Sequence, residues 1–336
     1  MSRILPADRP REVIARASDT TNQSFGFASL ESLPMKYLLE NGVICLDKPA
    51  GPTSHEVATW VRSILGCERV GHGGTLDPAV TGILPLGIGT ATKAMQALLP
   101  AGKEYVCVME LHDSVDEGAL REVIQQFVGK IYQKPPLKSS VKRALRVREV
   151  YYIDVAEVAG RLVLFHVGCQ AGTYIRKLCF DIGEALGSGA SMAELRRTRV
   201  GPFKEDGHLC TLYDLKDAYQ FWVDGGDETE IRKYLLPVEF ALSHLPVIAI
   251  RDSAVDAICH GASLAANGVV SLHTGIKKGD LVAIKTLKGE AVAIAKSTET
   301  TDRIAKAGSG IVAMVERVLM ERGRYPQMWK KRAAEP

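Results

Sequence analysis

The sequence predicts a mixed α+β protein with a small β-rich domain after it. Two observations carry this prediction. Short apolar runs closed by Gly- and Pro-containing turns alternate irregularly with segments of helical spacing, so several strands lack the crossover helix that a doubly wound parallel sheet needs. The composition also changes near "SHLPVIAI", residues 243–250, beyond which "LVAIKTL", "AVAIAKS" and "IVAMVERVLM" are separated by turns such as "TGIKKGD". A chain of 336 residues, 46% apolar and 24% charged, can bury a core and is long enough for two domains.

Residues 1–36 show no sustained period and read as an arm. "VICLD", residues 43–47, is a strand ended by the turn signal "KPAGPTS", in which Ser54 is the expected cap of a helix. Val57, Trp60, Val61, Ile64 and Leu65 form that helix's apolar stripe, at spacings 0, 3, 4, 7 and 8. "EYVCVMEL" from Glu104 is a strand, Leu120, Val123, Ile124, Phe127 and Val128 mark a second helix, and "RLVLFHVGC" is another strand. A helix opened by "AGTY" carries Ile175, Leu178, Cys179, Ile182 and Leu186 on one face. The domains are expected at 1–36, 37–245 and 246–325, with a basic tail over 326–336.

No run approaches the roughly 18 apolar residues of a membrane span, and the charged, Pro-containing N-terminus lacks a signal peptide's apolar core. The expectation is a soluble cytoplasmic protein without membrane contact. Seven scattered cysteines with no CxxC pair suggest neither a zinc ribbon nor a disulfide scaffold, and no metal site is expected. The net charge of +3 is unevenly spread: residues 130–150 hold seven basic residues and one acid, whereas residues 205–230 hold eight acids and one lysine. Basic stretches interleaved with Tyr and Trp fit a polyanion with faces to stack on, a nucleic acid, and equally fit solvated surface elements.

One stretch, "GHGGTLDP" at residues 71–78, combines backbone freedom with a single carboxylate, Asp77, held before a proline. Such a loop can aim one side chain, or Asp77 can simply close a turn. A phosphate cradle is disfavoured, because "GHGGTLDPAVTG" lacks the Lys-Ser/Thr of a P-loop and "GIGTATK" is not a dinucleotide fingerprint.

Six words, "GVICLDKPAGPTSHEV", "RVGHGGTLDPAVTGILPLGIGTATK", "GKEYVC", "QKPPLKSSVKRALRVREVYY", "GTYIRKLCFDIGEALG" and "AELRRTRVGPF", stand in the order found in the TruB-type pseudouridine synthases. The chain resembles that family over about residues 40–245, and its wording is closest to the archaeal dyskerin-type branch. The stretch from residue 246 resembles that branch's PUA domain. Ala79 stands where the branch usually has Lys, and Gly73 where eukaryotic members usually have Ser, both outside the Thr-Leu-Asp core.

The resemblance implies a largely antiparallel sheet of the pseudouridine synthase type, a small β-barrel-like PUA domain, and an RNA isomerase without cofactor. It makes Asp77 the catalytic carboxylate, Tyr105 the residue that stacks on the flipped base, and Arg176 the partner of the acid. Tyr174, Ile175 and Leu195 are implied to wall the pocket. His72 and the strip Lys142, Arg143, Arg146 and Arg148 are expected to contact RNA. The branch further implies a guide RNA, substrate RNA (rRNA or tRNA) and small accessory proteins of an H/ACA particle. A stand-alone synthase for the tRNA T-loop is the alternative, and a non-catalytic RNA scaffold a third.

Overall fold

The computed structural model describes residues 4–134 and 144–328. Lys142, Arg143 and the tail from residue 329 lie outside the described residues. Two sheets organise the chain. Strand β1 (Val13–Ala15) belongs to the second; the first is built from β2 (Gly42–Lys48), β3 (Val70–His72), β4 (Thr81–Ile88), β5 (Lys103–Leu111), β6 (Gly129–Gln133), β7 (Arg146–Ala159), β8 (Leu162–Cys169) and β9 (Ala190–Val200). Three short strands, β10 (Phe203–Lys204), β11 (Leu209–Cys210) and β12 (Leu236–Pro237), complete it. The main order is β11-β2-β4-β9-β5-β8-β7-β6, parallel where β11 meets β2 and where β4 meets β9 and antiparallel elsewhere. This is the mixed, largely antiparallel α+β sheet expected.

Strand β5 shows why the sheet holds: Lys103, Tyr105, Cys107, Met109 and Leu111 alternate with more exposed residues and point into one core. Two helices carry the site. Helix α1 (Ser54–Leu65) buries Val57, Val61 and Leu65, with Ile64 partly buried against the same core, whereas Trp60 of the expected stripe remains exposed. Its cap is Thr53, not Ser54: Thr53 and Glu56 form a capping box, which frees the Ser54 hydroxyl for another task. Helix α2 (Ile175–Leu186) buries Ile175, Leu178, Cys179 and Ile182 in the core that also holds Tyr105.

The second sheet contains β13 (Val247–Ile250), β14 (Leu264–Ala265), β15 (Val269–His273), β16 (Leu281–Lys285), β17 (Ala291–Ser297) and β18 (Ile311–Val318), and β1 is its edge, antiparallel to β15. The arm thus rests on the C-terminal domain: Thr21 bonds to Asp252, and Phe27 N donates to Glu290. Its first residues touch the other domain, where Asp8 meets Arg199. The two domains also share one apolar cluster, in which Val43, Phe203 and Leu242 pack with Ala283, Ala291 and Ile294. No helix among the described residues is long and apolar enough to cross a membrane.

Candidate active site

Residues 73–80 connect β3 to β4. Leu76 and Val80 are buried in the core that contains Tyr105, whereas Thr75, Asp77, Pro78 and Ala79 are exposed. Two apolar anchors therefore pull the loop down on either side of the acid and leave its carboxylate at the surface. The main chain closes the turn itself, Val80 N donating to the Asp77 carbonyl at 3.0 Å. The side chain is left for another partner: Asp77 Oδ2 accepts from Arg176 Nη2 at 2.8 Å.

Arg176 stands in the first turn of α2, whose start is fixed by Gln133 at the end of β6. The Gln133 amide accepts from Tyr174 N at 2.9 Å and donates to Tyr174 O at 3.1 Å, holding the backbone of the helix cap. The side chains of Arg176 and Asp77 are 56% and 61% exposed. An ion pair so open to water contributes about 1 kcal/mol or less to stability, so its effect is to place a carboxylate against a cation where a substrate can reach both.

Tyr105 is buried in β5 under this loop, and burial pushes its phenol above the usual value while the neighbouring Arg197 charge pulls it partway back. Leu195, on β9, stands opposite Cys107 of β5 and is half-buried beside the same core. Ile175 is buried and packs in the same core cluster as Tyr105. His72 ends β3, and burial, aided by the Arg197 and His55 charges, pushes its imidazole below the usual value. Arg146 and Arg148 alternate on β7 opposite Gln133 and Ile131, and the Arg148 guanidinium lies against Gly172 in the turn that leads into α2. The described half of the basic strip is therefore next to the helix that carries Arg176.

Lys48, Ser54 and Arg197 hold the loop from behind. Lys48 is fully buried, and its amine donates to the carbonyls of Pro49, Pro78 and Val80 at 2.8, 3.0 and 3.0 Å. Burial and the Arg197 charge push that amine below its usual value, with Asp77 acting against them. The freed Ser54 hydroxyl accepts from Leu76 N at 2.9 Å and donates to Leu76 O at 3.3 Å. Arg197 reaches the carbonyls of Gly74 and Thr75. Gly74 has φ +139°, a conformation that few other residues adopt. The signals for these residues are faint. Lys48 stands between Asp47 and Pro49, and Arg197 sits in "RRTR", with nothing local to mark either as buried.

A carboxylate on a fixed loop, an arginine from a helix N-terminus and a buried tyrosine beneath them thus come together on the mixed sheet. The chain matches the TruB family pseudouridylate synthase (N-terminal domain) over residues 62–175, the tRNA pseudouridylate synthase B C-terminal domain over 176–243, the DKCLD domain over 5–58 and the PUA domain over 246–319. It belongs to the TruB family of pseudouridine synthases and is an isomerase acting on RNA. Among its relatives, the probable tRNA pseudouridine synthase B of Methanopyrus kandleri is 57% identical over 327 residues, covering 97% of this chain and 96% of that protein. The like-named protein of Thermococcus kodakarensis is 56% identical over 331 residues, 98% of each chain. Two solved structures place the branch: a Cbf5–Nop10–Gar1 complex matches with a TM-score of 0.94 at 54% identity, over 97% of this chain and 99% of that one. An H/ACA ribonucleoprotein bound to a substrate RNA containing 2'-deoxyuridine matches with a TM-score of 0.91 at 52% identity, over 97% and 100%.

Proposed function

We propose that Asp77 is the catalytic carboxylate of uridine isomerisation, with Arg176 orienting it, Tyr105 stacking on the extruded base, and Tyr174 and Leu195 lining the opening. The observation that carries this reading is the single exposed acid held at 2.8 Å by Arg176 on a loop anchored over Tyr105. The reaction breaks the base's N1–C1′ bond, turns the base and joins C5 to C1′, so N1 gains a proton and C5 loses one. No water is added, and one acid at the sugar suffices where a glycoside hydrolase uses two. Extruding the base costs a few kcal/mol, which an aromatic platform offsets by about 1 to 3 kcal/mol. The rest of the chain divides accordingly: residues 37–245 carry the chemistry, 246–325 hold RNA, and the arm, 1–36, supports the second domain.

The substrate is chosen by a guide RNA in a cytoplasmic H/ACA-type particle with small accessory proteins; the likeness to such complexes at more than half identity supports this. The names of the relatives favour a second reading, unguided action on tRNA. Tritium release from RNA carrying [5-³H]uridine separates them, because C5 loses its hydrogen only when isomerisation completes. Release that requires guide RNA and rises with accessory proteins supports the first reading. Release from tRNA alone supports the second, and none under any condition removes the enzymatic role.

A further inference from the structure

Arg197 is 1% exposed, yet it is a cation in the middle of β9. Nε donates to the Ile83 carbonyl at 2.8 Å, Nη2 to Gly74 at 3.2 Å and Nη1 to Thr75 at 3.4 Å. Gly74 and Thr75 lie on the entry side of the Asp77 loop and Ile83 lies beyond its exit, so one planar group ties both ends of the loop together. The same residue stands in register with Tyr105 on β5, and the phenol lies beside the guanidinium. Gly82, whose φ is +100°, lets the backbone of β9 come close to β4 here: a Cβ on it would lie 2.2 Å from the Arg197 carbonyl.

Burying a guanidinium is costly, and apolar residues of similar size commonly pack such a space at least as well. The fork supplies what an apolar residue cannot, three donors at fixed angles, and a lysine has only a point charge on a flexible stem. We propose that Arg197 is a positioning residue for the isomerisation: it holds the Asp77 loop and the Tyr105 ring to one common reference, so that acid and base platform meet the nucleotide in register. Misplacement by about 1 Å can slow an enzyme by about 10²-fold. This assignment rests on Asp77 being the catalytic carboxylate.

The test compares R197K and R197Q with wild type in three measurements: thermal melting, RNA affinity, and single-turnover pseudouridine formation at saturating RNA. A folded R197K that binds RNA within about threefold of wild type and turns over about 10²-fold more slowly is expected. Guanidinium ion added to R197A should restore part of the rate, and should leave wild type and Asp77→Asn unchanged. A folded R197K with a rate within about threefold of wild type would overturn the assignment, as would equal losses of affinity and rate or failure of both R197K and R197Q to fold. If Asp77→Asn keeps its turnover, the reading of the acid fails whatever Arg197 does. If Asp77→Asn is inactive and R197K is normal, the role of Arg197 alone is refuted.

Discussion

Asp77 and Arg176 keep more than half of their side-chain surface in water, whereas Lys48 and Arg197, which grip the same loop from behind, keep almost none. The two sides meet opposite demands. The front must admit a nucleotide, and an exposed pair adds little to stability. The back must stay dry, and there each donor lost leaves a carbonyl unsatisfied, at a cost of about 1 to 3 kcal/mol. Changes at the front should therefore alter chemistry at constant stability, and changes at the back should lower stability and chemistry together.

The contrast can be broken in several places. Lys48→Met strips donors from three carbonyls and should destabilise the protein by about 3 kcal/mol or more, read as a lower melting temperature together with slower turnover. Unchanged melting would mean that the loop does not depend on its buried side. His244 offers a pH test at the domain junction. Burial, joined by the Arg11 and Lys103 charges, pushes its imidazole down to about 4 from an ordinary 6.5. The unfolded chain binds the extra proton first, so stability should be complete above about pH 6.5 and fall as pH drops towards 4, by about 3 kcal/mol from this residue. His244→Asn should flatten the acid limb of the melting profile in that window.

Smaller effects on turnover sharpen the comparison. Tyr105 is buried between the two sides, so Tyr105→Ala should slow turnover by about 10- to 100-fold, the worth of one stacked base, and also lower the melting temperature, while Tyr105→Phe keeps the face and isolates the hydroxyl beside Arg197. Equal, near-normal rates for both would leave Tyr105 a core residue. The least effect is expected from Arg148→Ala, which should weaken RNA binding a few-fold and reduce the slope of log affinity against log salt by about 0.7 to 0.9. An unchanged slope would remove Arg148 from the phosphate contacts.

The strands and helices around the site were legible because their signals are local: β5 alternates, the α2 stripe has helical spacing, and "GHGGTLDP" marks an unusual loop. Asp77 and Arg176, 99 residues apart, could be paired only through the family resemblance, since no local pattern links them. The buried cations Lys48 and Arg197 carry no local signal: charge is expected outside, and nothing in "DKP" or "RRTR" says that carbonyls wait to receive it. Ser54 was assigned the nearest local task, the cap that Thr53 performs, while its actual partner is Leu76. The change of composition at residues 243–250 marks the domain junction but not the apolar cluster that crosses it, which is built from residues distant in sequence.

The most direct test of the site is Asp77→Asn, a nearly isosteric change at the exposed front. Pseudouridine formation in a single turnover, RNA affinity and thermal melting should be measured on the same preparation. The expected result is a loss of at least about 10³-fold in rate, with affinity within about threefold and melting unchanged within a few degrees. A rate within about tenfold of wild type would contradict the role of Asp77. So would a loss of rate explained wholly by a fall in melting temperature.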